Sequence, residues 1–99
     1  MKKHFLTNEE IQKFREYLQE EEKSKNTLEK YIRDVTAFSR TCEGEITKDT
    51  AIAYKQNLIE NGYAVQSVNS ILASLNSLFS FLGWYECRVK VRTAHLTNK

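Results

Sequence analysis

An all-α fold, a small four-helix bundle with an extended C-terminal tail, is what these 99 residues predict. Three observations carry that expectation. Proline is absent, and glycine occurs only at Gly44, Gly62 and Gly83, so chain breakers are few. Apolar residues recur at spacings of three and four through four separate stretches, which is the period of a helix face. Between the stretches stand the short polar residues and glycines that start and stop helices. The length suits one domain, long enough to bury a modest core without staples.

Each helix has its own signals. Thr7 with Glu10 forms a capping box at the head of the first, which buries Ile11, Phe14 and Leu18 and fades near Lys23. Ser24 or Asn26 caps the second, with Glu29 placed to complete a box from Asn26. Its apolar stripe is Leu28, Tyr31, Ile32, Val35 and Phe38, and Gly44 then breaks the chain. Thr47 caps the third, with Asp49 in the first turn, where the helix dipole favours a negative charge. Ala51, Ile52, Leu58 and Ile59 supply its inner side, Tyr54 lies beside them, and Asn61-Gly62 ends it in a left-handed turn. The fourth helix is expected over residues 65–82, on a wide stripe of Val68, Ile71, Leu72, Leu75, Leu78, Phe79 and Leu82, with Gly83 as its stop. Beyond Trp84 and Tyr85, the alternation of Cys87, Val89 and Val91 with basic residues predicts a short strand or an extended linker. The expected core is Leu28, Ile32, Val35, Phe38, Leu58, Val68, Ile71, Leu72, Leu75 and Phe79.

Charge is nearly balanced at +2, but it is unevenly placed. Acidic residues crowd the first part, in Glu9, Glu10, Glu16 and the run Glu20, Glu21, Glu22, whereas the tail carries Arg88, Lys90, Arg92 and Lys99 against Glu86. A basic end can touch phosphate, and it can equally be a solvated tail. Cys42 and Cys87 lack metal-ligand spacing, so free thiols in a cytoplasmic protein are expected rather than a disulfide. The basic opening is interrupted at once by Thr7, Asn8, Glu9 and Glu10, which does not read as a signal peptide. No stretch is long and apolar enough to span a membrane, and no membrane partner is expected.

No catalytic set stands out. His4 and His95 lie near opposite ends without ligand-spaced partners and are expected to be solvated. No glycine-rich phosphate loop occurs, and the acidic run reads as a wet helix face. No cofactor, metal or small-molecule substrate is expected. The informative surface is on the fourth helix, because no charged residue occurs between positions 61 and 85. Opposite its apolar stripe stand Gln66, Asn69, Ser70, Ala73, Asn76 and Ser80. Amides and hydroxyls of this kind suit a nucleic-acid groove, and small neutral residues equally suit close packing against a partner helix. The second helix opens with Lys25, Asn26 and Thr27, a start that can hold phosphate, and Lys30 and Arg33 follow on its outward face. The competing reading is an ordinary cap followed by solvated cations, with Arg33 able to pair with Glu29.

Two segments carry a resemblance. Residues 24–38, SKNTLEKYIRDVTAF, and residues 64–82, AVQSVNSILASLNSLFSFL, together resemble the N-terminal, core-binding (SAM-like) domain of tyrosine recombinases, the phage integrases and their relatives. The resemblance spans residues 7–84. It implies a SAM-like helical bundle that grips one side of double-stranded DNA in site-specific recombination or integration, with other recombinase subunits as further partners. It places the second and fourth helices side by side on the duplex. The DNA-binding residues it points to are Lys25, Asn26, Thr27, Lys30, Arg33, Gln66, Ser67, Asn69 and Ser70. Basic residues common in the family near Ser70 and Asn76 are neutral here, which implies low affinity from that face. The family cuts DNA with an Arg, a Lys, a His-x-x-Arg pair and a Tyr in a separate domain, and nothing in this chain matches that set. The expectation is therefore a non-enzymatic domain over residues 1–83, with residues 84–99 resembling the linker to a catalytic domain, though the Asn-Pro pair frequent in such linkers is missing. A domain cut at its boundary and a shortened reading frame both fit. The alternative function is a helical protein-interaction module that docks a partner helix on the neutral face of the fourth helix.

Overall fold

The heads of α1, α2 and α3 each follow from a local cap. The computed structural model describes residues 3–42 and 44–91. It contains α1 (Asn8–Glu20), α2 (Lys25–Thr41), α3 (Lys48–Glu60) and α4 (Val65–Leu82), followed by one 3-10 turn at Tyr85–Cys87. There is no strand among the described residues. At the head of α1, the Glu10 carboxylate accepts from the Thr7 backbone N–H at 3.0 Å and from the Thr7 hydroxyl. The choice at α2 falls to Ser24, whose Oγ accepts from the Thr27 N–H at 3.2 Å. With Lys25 already helical, Asn26 lies inside the first turn and forms no box with Glu29. Thr47 and Thr50 exchange bonds across the head of α3.

Three of the four helix ends use left-handed backbone, whereas α2 ends at Cys42 in extended backbone. Gly62 (φ +87°) and Gly83 (φ +79°) let the chain turn back, so that Tyr63 N–H reaches Leu58 O at 3.2 Å and Trp84 N–H reaches Phe79 O at 2.7 Å. α1 ends the same way without a glycine. Glu22 takes φ +60°, and Lys23 N–H reaches Leu18 O at 3.2 Å.

α4 is the centre of the packing and touches each of the other three helices and the 3-10 turn. Its Val68, Leu72, Leu75, Leu78 and Phe79 are fully buried, against Phe14 and Leu18 of α1 and Val35 and Phe38 of α2. Ile11, Leu28, Ala51 and Leu58 complete the helical part of the core. Ile32 and Ile71, expected inside, lie at its edge, half-buried against it. Ile52 corrects the expectation for α3: it is 41% exposed, because the buried line of that helix runs through Ala51 and Leu58. No helix among the described residues is long and apolar enough to cross a membrane.

The tail is extended after the 3-10 turn, but it is not loose. Cys87 and Val89 are buried in the core, as is Ile46 of the α2–α3 connection. Asn76 of α4 holds Val89 by both backbone groups, accepting from its N–H at 2.9 Å and donating to its C=O at 2.7 Å. Lys48 and Lys55 donate to the carbonyls of Arg88 and Lys90 at 2.5 and 2.8 Å. Cys42 and Cys87 are free thiols, and burial pushes both above the usual cysteine range. His4 is a second correction. Its side chain is 13% exposed, not solvated, because the ring stacks on Trp84 at 4.5 Å and Nε2 meets Glu86 at 2.5 Å. Arg92, His95 and Lys99 lie outside the described residues.

Candidate nucleic-acid interface

α2 and α4 pack along each other, and one side of the pair carries most of the polar residues that the sequence singles out. Between α2, α3 and α4 lies an open cleft of about 400 Å³, lined by Lys30, Arg33, Tyr54, Tyr63, Ser67 and Ser70 among others. A neighbouring hollow of about 360 Å³ is lined by Asn26, Thr27, Lys30, Tyr31, Ser70 and Ala73. Lys30 and Ser70 belong to both, so the two hollows form one continuous surface across the α2–α4 seam. Asn26, Arg33, Ser67 and Ser70 are exposed on it, and Thr27 is half-buried. Lys25 and Gln66 are exposed but line neither hollow, and Asn69 is half-buried.

Lys30 is the main departure from expectation. It does not project from the outer face of α2 as a free cation. Its Nζ donates to Ser70 O at 2.6 Å and to Ser74 Oγ at 3.0 Å, and lies 2.8 Å from Asp34 Oδ2. Ser74 in turn donates to Asp34 at 2.7 Å. Two features cause this. Asp34 is one turn along α2 from Lys30, and the small side chains of α4 leave room for the lysine to cross the seam. Buried Asp34 and Ser74 thus satisfy each other and tie the two helices together, as a buried polar network must. The sequence reading missed both. The readable signal is the i, i+4 pair Lys30–Asp34 facing a serine on the neighbouring helix.

Arg33 is the opposite case. It is exposed, and among the described residues the ion pairs are His4–Glu86, Glu9–Lys13 and Lys30–Asp34, so Arg33 is not neutralised by Glu29. The head of α2 is also different from expectation. Thr27 presents no spare amide, because Ser24 takes it. The head of α4 lies under Ala64, which has no side-chain cap to offer. Amides in the first turn of α4, next to Gln66 and Ser67, are therefore the better-placed backbone donors for an anion. Tyr63, at the α3–α4 turn, is 49% exposed beside them and has no part in the sequence-based site. Asn76 leaves that site's neutral face, since its amide is committed to Val89.

Chemically, this surface offers one free guanidinium, amides and hydroxyls, an exposed phenol, and a lysine whose charge is already matched. It suits hydrogen bonding to phosphates and base edges more than strong electrostatic attraction. The family described as phage integrase, N-terminal SAM-like domain matches residues 11–86. The tyrosine recombinase XerA of Pyrococcus furiosus is 29% identical over 92 residues, covering 93% of this chain and 32% of that protein. The tyrosine recombinase XerA of Thermococcus onnurineus is 33% identical over 85 residues, 86% of this chain and 30% of that protein. The chain thus spans about a third of the length of these relatives.

Proposed function

Because the chain belongs to the phage integrase N-terminal SAM-like domain family, we propose that it binds double-stranded DNA as the core-binding half of a tyrosine recombinase. The observation that carries this reading is the continuous α2–α4 surface, where Asn26, Thr27, Arg33, Ser67 and Ser70 stand together around a helix without charge. Arg33 and Lys25 supply phosphate contacts, with the uncapped head of α4 as a further anchor. Gln66, Ser67, Asn69 and Ser70 reach groove edges, where amides and hydroxyls discriminate bases. Lys30 positions: it holds α2 and α4 at a fixed spacing and lends the surface only part of its charge.

Cutting and rejoining belong, on this reading, to a catalytic domain reached through residues 84–99, and this chain acts as one jaw of a clamp over the duplex. It works in the cytoplasm, where its thiols stay reduced, and neighbouring recombinase subunits are its protein partners. The test is fluorescence anisotropy on labelled duplex at several salt concentrations. The expected result is weak binding, with a dissociation constant of about 10⁻⁴–10⁻⁶ M at physiological salt and a clear salt slope. No binding at very low salt overturns the proposal and leaves docking of a partner helix as the function of this face.

A further inference from the structure

The fold brings His4 to two neighbouring residues that lie some eighty positions away in the sequence. His4 precedes α1, whereas Glu86 and Cys87 lie in the 3-10 turn after α4. His4 Nε2, a Glu86 carboxylate oxygen and Cys87 Sγ all lie within 4.8 Å of one another. We propose that they form a binding site for a borderline-soft divalent cation, zinc above all, which fastens the N-terminal segment to the C-terminal turn.

The donor set favours that class of ion. Nitrogen, oxygen and sulfur together suit zinc and its transition-metal neighbours and do not suit magnesium or calcium, which take oxygen. The spacing suits it as well. Bond lengths of about 2.0–2.3 Å in a tetrahedron put donor atoms about 3.3–3.8 Å apart, so a shift of about 1 Å completes the site. Two of the donors are held in place by contacts independent of any ion. The His4 ring stacks on Trp84 with an interplanar angle of 15°, and the His4 carbonyl accepts from Ile46 N–H at 2.7 Å. Cys87 is buried in the core beside Ile46, its thiol directed to the Ile46 carbonyl at 3.8 Å. Glu86 is the exposed donor, its side chain 63% accessible, so the fourth position opens to water on that side. On binding, the Cys87 thiol gives its proton to solvent and coordinates as the thiolate, and His4 binds through its neutral ring.

Cobalt(II) is the probe, because it takes zinc sites and reports a thiolate ligand by an intense near-ultraviolet charge-transfer band. The full chain, tag-free and reduced without thiols, is titrated with cobalt and then with zinc as competitor. The expected result is one equivalent of cobalt with that band, displaced by zinc, and unchanged in Cys42→Ser. Cys87→Ser loses the band. Since Cys87 is in the core, His4→Gln gives a second test at the margin of the fold. With circular dichroism showing intact helices, it lowers zinc affinity by more than about 10-fold in calorimetry. Absence of the band in the wild-type chain, its persistence in Cys87→Ser, or unchanged zinc affinity in His4→Gln overturns the proposal.

Discussion

The ammonium of Lys30 lies 2.8 Å from the carboxylate of Asp34, inside the seam between α2 and α4 rather than out in solvent. A cation beside the proposed interface thereby serves as a brace between the two helices. Removing it leaves Asp34, only 8% exposed, without its counter-charge. Lys30→Ala should therefore cost about 1–3 kcal/mol of stability, the range for stranding a buried polar group. Asp34→Ala in the same background should cost much less than it does alone, since the pair is coupled. Denaturant melts of the four variants check this, and additive losses would mean that the pair is not coupled.

Arg33, exposed and without an ion-pair partner among the described residues, should behave as a phosphate contact. Arg33→Ala is expected to reduce the salt slope of DNA binding by about one unit, uniformly across sequences. Lys30→Ala should change it by less, because Asp34 already balances that charge. Ser70→Ala should leave the slope alone and shift preference among duplexes. Equal slopes for all three variants would remove Arg33 from the interface.

Leu75 is fully buried on the central helix. Leu75→Ala is expected to cost about 2–5 kcal/mol, as lost transfer energy plus a cavity that α4 cannot close by moving. A thermal melt unchanged by this substitution would contradict the packing around α4.

Glu22 occupies left-handed backbone at φ +60°. Its side chain is exposed, so nothing is lost by removing it. Glu22→Gly should raise stability by up to about 1 kcal/mol, because glycine adopts this conformation without a Cβ clash. The gain is limited by the extra freedom of glycine in the unfolded chain. Glu22→Ala, which keeps the clash, should show no such gain in the same melt.

Glu10 gives a dependence on pH. Hydrogen bonds from Thr7 hold its carboxyl below the usual carboxylate range, against a smaller opposing effect of burial. A group lowered in the folded state contributes stability above its unfolded value, and that contribution disappears as pH falls through the folded value. Stability of the wild-type chain minus that of Glu10→Gln should therefore shrink on acidification below about pH 4. A constant difference across that range would mean that the box works without the ionised carboxylate.

Much of the fold was legible because it rests on local rules. The α4 stripe, the Gly62 and Gly83 stops and the Thr7 and Thr47 caps each depend on neighbours within one or two turns, which the sequence displays directly. What escaped depends on distant contacts. Ile52 sits at helical spacing with its neighbours, but only the packing decides that Ala51 is the inward position. Lys30 looks like a surface cation until Ser70 and Ser74, forty residues and more away, supply its acceptors. His4 looks solvated until Trp84 arrives beneath it. That these polar residues share one side of α2 and α4 was legible for the same reason as the stripe. That Lys30 crosses the seam to Asp34 and Ser74 was not, because that depends on how α2 meets α4.

The hold of Asn76 on Val89 gives the bundle a fixed outlet. The chain leaves α4 after Leu82, turns once, and is fastened back onto the same helix at Val89, 13 residues beyond Asn76, so its heading there is referenced to α4 and not to solvent. The α2–α4 surface and this outlet therefore share one helix, and a rotation of α4 turns the chain at Val89 with it. Asn76→Ala would cut that gearing while leaving the surface itself in place.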